Sequence, residues 1–467
     1  MNLKFRLRRC FRRLPEGVTM MLLAGATGTA AGVAAWVLKW TIGRLCTAVL
    51  ALADTVWWPA AAMPVAGILA AVAFQRYVAH RSLEHGTDTL TRALAEHRYV
   101  LDARLTWQPV LAAIITLGFG GSAGAEGPIA ISGGAIGSRI AKACGLPEEM
   151  RRVMMGCGAG AGIAGIFKAP IAGLLFTLEV LKVRMNTLSV LALTVAAICG
   201  GLSCYALTGF SFDIAFLPTA FFDPSTLGWV ALLGLWCGFY SAYYNRMTAL
   251  LHRFFGSISN RWWRALAGGA IVGTCVLLFP CLFGEGYDTL TELVNGRTNT
   301  FAVGALFDPS APDAVELLLM AAAVMLLKVF ACIASNSSGG VGGDFAPTIF
   351  AGAFAGLVFG LGVNAAFDAK LPVGLCCLFG AAGTFAGVIH APLMSIFLVS
   401  EIVGNGYGFV LPLAVTALVS YLTVKALSPK SKYDAARHDD FAALAATPTT
   451  GKAAEMPEAE KSGPASN

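Results

Sequence analysis

The chain is 467 residues long, 57% of them apolar and only 13% charged, with a formal net charge of +6. A soluble domain carries roughly 25% charged residues, so this chain has too little polar surface to cover a water-facing fold. These figures exclude an ordinary soluble protein and leave an all-α, multi-pass membrane protein.

From the N-terminus, Lys4, Arg6, Arg8, Arg9, Arg12 and Arg13 make a basic arm over residues 1–15. Apolarity then runs on, interrupted, through Trp40 and Leu52, further than a cleavable leader extends, so the segment reads as a retained anchor. Basic residues flanking a first span place this end in the cytoplasm. The arm suits anionic lipid headgroups rather than nucleic acid. A membrane transport domain is expected over 16–430, with a first repeat at about 16–215 and a second at about 225–430.

Residues 118–128 hold Gly118, Gly120, Gly121, Ser122, Gly124, Ala125, Glu126, Gly127 and Pro128. The glycines permit irregular, closely approached backbone, and Pro128 suits the first turn of a helix, where its missing N–H costs nothing. A helix starting inside the membrane presents unpaired N–H groups and the positive end of its dipole, which together make an anion site without a basic side chain. An ionised Glu126 there would occupy the place an anion wants; protonated, it would be neutral and free to swing away. Ionisable groups inside a membrane are functional by default, so Glu126 is the expected gate and one end of a possible proton path.

Further along, Gly165, Ala169, Pro170 and Glu179 recur at identical spacing as Gly387, Ala391, Pro392 and Glu401, an offset of 222 (387 − 165). The Glu126-Gly-Pro128 segment pairs with Phe345-Ala-Pro347 at an offset of 219 (347 − 128). Between these motifs lie nearly charge-free stretches such as Thr187 to Phe210 and Leu227 to Tyr240, and Asp308 to Pro312 reads as a loop. Paired broken helices of this kind indicate two inverted repeats with the transport site at their interface. Residues 431–467 form a C-terminal segment whose Ala, Thr, Glu, Pro and Ser content predicts disorder from about 446. The twelve cysteines are scattered in apolar surroundings without metal spacing, so neither a metal nor a cofactor nor a disulfide is assigned.

These motifs resemble the CLC family of chloride channels and proton-coupled chloride transporters, over about Arg13 to His438. Gly124-Ala-Glu126-Gly-Pro128 is similar to the family's G-(K/R)-E-G-P, and Gly343-Asp-Phe345-Ala-Pro347 to its G-x-F-x-P. The resemblance implies a homodimer with one pore per subunit and both termini cytoplasmic, in the inner (plasma) membrane. It implies that Glu126 matches the external gating glutamate, and that chloride is bound around Ala125, Gly127, Asp344 and Phe345. Tyr433 resembles the tyrosine whose hydroxyl faces the same anion.

Three departures bear on function. His85, in Glu84-His85-Gly86-Thr87-Asp88, stands where the family has the serine of G-S-G-x-P; it could donate to the anion, titrate near neutral pH or be structural. Val180 follows Glu179 where well-known coupled members carry a second glutamate that relays protons from inside, which leaves Glu179 as a possible proton group or a structural one. Ala125 replaces a Lys or Arg, and both that loss and Asp344 weaken attraction of anions to the mouth. On Val180 the expectation leans to a passive, voltage- or pH-gated chloride channel, with a proton/chloride antiporter as the alternative. Fluoride export fits less well, because Pro128 is present where such members usually depart from Gly-Pro. An enzyme is not expected, since neither H-E-x-x-H nor a Ser/His or paired-Asp constellation occurs at helical spacing; a non-conducting scaffold would need a degenerate pore.

Overall fold

Lipid offers no hydrogen bonds to a backbone, so a chain this apolar must satisfy its N–H and C=O groups within its own helices. The computed structural model describes residues 14–53, 58–83, 87–183, 186–211, 214–216, 222–304 and 312–427. The basic arm to Arg13, His85, most of the Asp308 to Pro312 loop, Tyr433 and the C-terminal segment lie outside them.

Sixteen α-helices follow one another among the described residues. The first eight are α1 (Glu16–Ala53), α2 (Trp58–Phe74), α3 (Asp88–Ala95), α4 (Gln108–Gly118), α5 (Glu126–Cys144), α6 (Glu148–Phe167), α7 (Pro170–Leu175) and α8 (Thr187–Leu207). The second eight are α9 (Leu227–Ser257), α10 (Arg261–Leu278), α11 (Tyr287–Val294), α12 (Ala314–Ser337), α13 (Phe345–Phe367), α14 (Val373–Ile389), α15 (Pro392–Ile402) and α16 (Val410–Leu427). Among the described residues, seven helical segments are long and apolar enough to cross a membrane. Others, such as α4, α7 and α15, are too short to cross alone, as the frequent Gly and Pro breaks imply. The apolar stretch from Leu227 continues as helix well past Tyr240, because α9 packs along α12 and α16 and carries its more polar end with it.

The helices approach closely where side chains vanish. In membranes such small-residue crossings drive association, since lipid removes the hydrophobic incentive between helices. Gly28 and Gly32 of α1 lie against the backbone of Ala196 and Gly200 on α8. Gly133 and Gly137 of α5 lie against the carbonyls of Gly158 and Met154 on α6, and Gly352 and Gly356 of α13 lie in the same way against Gly380 and Cys376 on α14. The same contact is thus built twice, once in each half. A β-carbon on Gly158 would run into the carbonyl of Gly133, so Gly158→Val should destabilise by about 1–3 kcal/mol through overpacking. Gly43→Ala, in open space, should leave the melting temperature in detergent unchanged, and a Gly158→Val protein that melts like the parent would refute the close packing.

Candidate functional site

The two Gly-rich breaks meet. Gly124 and Gly343 exchange backbone hydrogen bonds, N–H of Gly124 to O of Gly343 at 2.9 Å and the reverse at 2.6 Å. Two side-chain braces hold the meeting. Thr116 Oγ1 accepts from the Val341 N–H at 2.9 Å, and Ser335 Oγ accepts from the Ser122 N–H at 2.9 Å. Thr116 and Ser335 are repeat partners, as are Ser122 and Val341, all at the offset of 219 (335 − 116). Each half therefore uses the same position to clamp the other's loop.

From this junction α5 and α13 start with their N-termini facing one another, each with its proline at the third position. Applying the 219 offset, Phe345 is the repeat partner of Glu126 (345 − 126) and Asp344 that of Ala125. At this one pair the symmetry is broken by chemistry: an acid on one side, an aromatic ring on the other. Phe345 is buried, with its ring edge-on to Phe385 at 5.2 Å and to Phe176 at 6.0 Å.

Glu126 is 1% exposed. Its Oε1 accepts the backbone N–H of Ala346, one of the first free donors of α13. Its Oε2 is buried and accepts no hydrogen bond from the described residues. The carboxylate thus lies across the gap from one repeat to the N-terminus of the other, where donors and helix dipole favour negative charge. The bare α-carbons of Gly124 and Gly343 flank it, since a β-carbon on either would collide with the carboxylate.

The structure brings Ala125, Glu126, Gly127, Asp344 and Phe345 to one locus. Asp344 accepts from Asn336 Nδ2 at 3.0 Å. His85 and Tyr433 fall outside the described residues. Glu179 lies apart from this locus, on a π-helical turn after α7, where its carboxylate accepts the N–H groups of Leu393 and Met394 at 3.2 and 2.7 Å. Glu401 does the converse at the start of α7, accepting from Ile171 and Ala172 at 3.1 and 2.8 Å.

Two charged groups at the locus were not singled out from the sequence. Lys328, fully buried on α12, donates to Ser122 Oγ at 2.8 Å and to the Gly284 carbonyl at 3.3 Å, and its ammonium lies 4.6 Å from the Phe350 ring centroid. These contacts offset the cost of burying its charge, and they return a cation to the neighbourhood that Ala125 leaves without one. It could have been found, because it is the only charge in α12 beyond Glu316 and a lone charge inside a span is a functional signal. Glu285, half-buried between α10 and α11, accepts the N–H of Ala125 at 2.9 Å. The arrangement can hold one small anion or one carboxylate on a given N–H donor, not both.

The described voltage gated chloride channel family model matches residues 66–425. The chain is 29% identical over 432 residues to "Putative chloride channel protein ClcB-like" of Ralstonia nicotianae, covering 89% of this chain and 95% of that one. It is 28% identical over 446 residues to the "H(+)/Cl(-) exchange transporter ClcA" of Cronobacter sakazakii, covering 91% of each. Among solved structures, a slow cyanobacterial Cl-/H+ antiporter superposes with a TM-score of 0.77 at 22% identity, over 92% of this chain and 99% of the other.

Proposed function

Since the chain belongs to the voltage gated chloride channel family, whose work is anion transport, we propose that it exchanges chloride for protons across the membrane, with Glu126 as the shared element. The observation that carries this reading is the seat of the Glu126 carboxylate on the Ala346 N–H. A chloride ion needs the same donor, so anion and ionised carboxylate exclude each other there. Protonation neutralises Glu126 and lets an anion replace it; departure of the anion lets the group return and release its proton. Exclusion of one by the other is the physical root of exchange, because each ion's movement prepares the site for its counterpart.

The channel expectation rested on Val180, and a relative named as a chloride channel still favours it. Relatives named exchange transporters weigh the other way, and a proton group beside Val180 is not required if protons reach Glu126 by water. Ala125, Gly127, Asp344 and Phe345 are the proposed anion contacts of the described part, with His85 and Tyr433 as inner contacts. Glu179, held by two backbone donors, is proposed as a structural cap rather than a proton station. A homodimer in the plasma membrane, with both termini in the cytoplasm, is the arrangement proposed on the family's pattern.

The test is a purified protein in liposomes, loaded with chloride and diluted into chloride-free buffer while external pH is recorded. Exchange predicts that chloride leaving drives protons inward, against an opposing proton gradient. Chloride efflux with no uphill proton movement would establish the channel instead.

A further inference from the structure

We propose that Glu285 is a second gate carboxylate, which together with Glu126 occupies the N–H donors at the outer end of the anion pathway. The inference rests on the exchange reading and deepens it. Two donors, the Ala346 N–H at the start of α13 and the Ala125 N–H at the start of α5, belong to the facing helix N-termini that form the anion seat. Each is taken by a carboxylate in this structure: Ala346 by Glu126, Ala125 by Glu285 at 2.9 Å. The second comes from the opposite repeat, 160 residues away.

The segment bearing Glu285 is docked as part of the seat rather than draped over it. The Gly284 N–H donates to the Gly120 carbonyl at 3.5 Å, and Lys328 ties the Gly284 carbonyl to Ser122 in the loop that leads to Glu126. Glu126 Oε2 remains buried without a hydrogen-bond partner among the described residues, aimed into the same seat. The sequence adds a repeat relation. Glu285-Gly286-x-Asp288 opens the eight-residue α11, as His85-Gly86-x-Asp88 precedes the eight-residue α3. The two motifs match in sequence at an offset of 200 (285 − 85), which pairs Glu285 with His85.

The groups facing Glu285 are Glu126 on α5, Lys328 on α12 and Cys46 on α1. Tyr287 and Asp288 begin its own helix, and Lys39 of α1 lies over the Tyr287 ring at 4.7 Å. Lys328 lies near Glu285 and, through Ser122 and the Gly284 carbonyl, ties together the segments that carry the two carboxylates. When a proton from solution converts the Glu285 carboxylate to the neutral acid, its hold on the Ala125 N–H weakens and Lys328 is left to favour an incoming anion. An anion reaching the seat therefore competes with two carboxylates, and both must be neutralised or displaced. Glu285 is half-buried where Glu126 is enclosed, so it is the one that solution reaches first.

The experiment measures chloride transport in liposomes, with pH and chloride varied on one face at a time, for the parent, Glu285→Gln and Glu126→Gln. Glutamine keeps an acceptor for the Ala125 N–H but cannot carry charge or a titratable proton. The parent should show transport rising with about the second power of proton concentration on the gate side, falling to about the first power in Glu285→Gln. The Glu285→Gln protein should also show roughly tenfold tighter apparent chloride affinity from that face, the competition of one charged hydrogen bond being lifted. An unchanged pH slope and chloride affinity in a Glu285→Gln protein that melts like the parent would overturn the proposal. If Glu126→Gln changes transport while Glu285→Gln does not, exchange through Glu126 stands and only the second gate falls. If neither variant differs from the parent, the underlying reading falls too. Should the glutamine variant not fold, Glu285→Asp carries the test. Its carboxylate is withdrawn by one methylene, so chloride affinity must tighten while the steep slope is kept; parental affinity there would be equally fatal.

Discussion

Replacing Glu126 by Gln or Ala should abolish proton movement and leave chloride flux with only the shallower pH response that Glu285 retains. Among the described residues the carboxylate is the only titratable group bonded to the Ala346 N–H, so its removal takes away both the proton carrier and the anion's competitor at that donor. A hydrogen bond to a charged group is worth about 1.5–3 kcal/mol net, which corresponds to about 10- to 150-fold in the affinity of an anion for the freed donor. The sign with pH follows directly. In the parent protein, lowering pH neutralises Glu126 and opens the seat, so flux rises as pH falls; in Glu126→Ala the flux should be higher and rise with only about the first power of proton concentration, the part left to Glu285. Chloride efflux and proton uptake measured together in liposomes separate the outcomes. Proton transport surviving in Glu126→Ala would remove this residue from the centre of the mechanism.

The membrane class and the site were legible in the sequence for different reasons. Composition settles the class because lipid exposure is a property of the whole chain. Glu126, Pro128 and Pro347 are legible because a helix break inside a membrane is encoded locally, by glycines before it and a proline just after its start. The repeat made the partnership of the two breaks visible before any contact was known. Glu285 was not legible: its significance arises from one bond to a backbone N–H far away in the chain, and a glutamate between two glycines reads as a surface turn. The full length of α9 was also hidden, since its second half stays helical through packing rather than through apolarity. Val180 leaned the sequence reading toward a channel whereas relatives named exchange transporters favour the alternative; Val180 bears only on the inner end of a proton route, and the proposed exclusion of anion by carboxylate would be set at the Glu126 end.

Repetition explains why the molecule can afford an irregular centre. The Gly124–Gly343 bridge, the Thr116 and Ser335 braces and the glycine crossings of α5–α6 and α13–α14 are all made in equivalent pairs. At the start of α7 and α15 and at the loop braces, the free groups that a broken helix leaves in one half are met by the corresponding element of the other. The proposed function draws on the place where this equivalence stops, at Glu126 opposite Phe345 and at Ala125 opposite Asp344. A symmetric junction would offer two similar helix N-termini; in the proposed exchange, the acid on one side makes its anion seat conditional on a proton.

The same reciprocity yields the second large effect, on stability. α7 and α15 each begin with Ala-Pro, where the proline contributes no donor, so the next two N–H groups are the first that need partners. Glu401 satisfies Ile171 and Ala172, and Glu179 satisfies Leu393 and Met394. A carboxylate at a helix N-terminus also gains from the dipole. Ala172 and Met394 are buried whereas Ile171 and Leu393 are exposed, so truncation strands one buried donor at each end, at about 1–3 kcal/mol. Glu179→Ala and Glu401→Ala should therefore each lower stability by about 2–3 kcal/mol with the lost cap included. The glutamine variants, which keep an acceptor, should lose about half as much. Because both caps close the same α7–α15 contact, the double alanine variant should fall short of the sum, as coupled neighbours do. Thermal unfolding in detergent measures all of these. The same proteins decide the role of Glu179. As a cap it predicts that Glu179→Gln transports protons and chloride in the parental ratio despite a lower melting temperature. Lost proton transport in a Glu179→Gln protein of parental stability would instead make that carboxylate the inner station of the proton route, with Val180 beside it no obstacle.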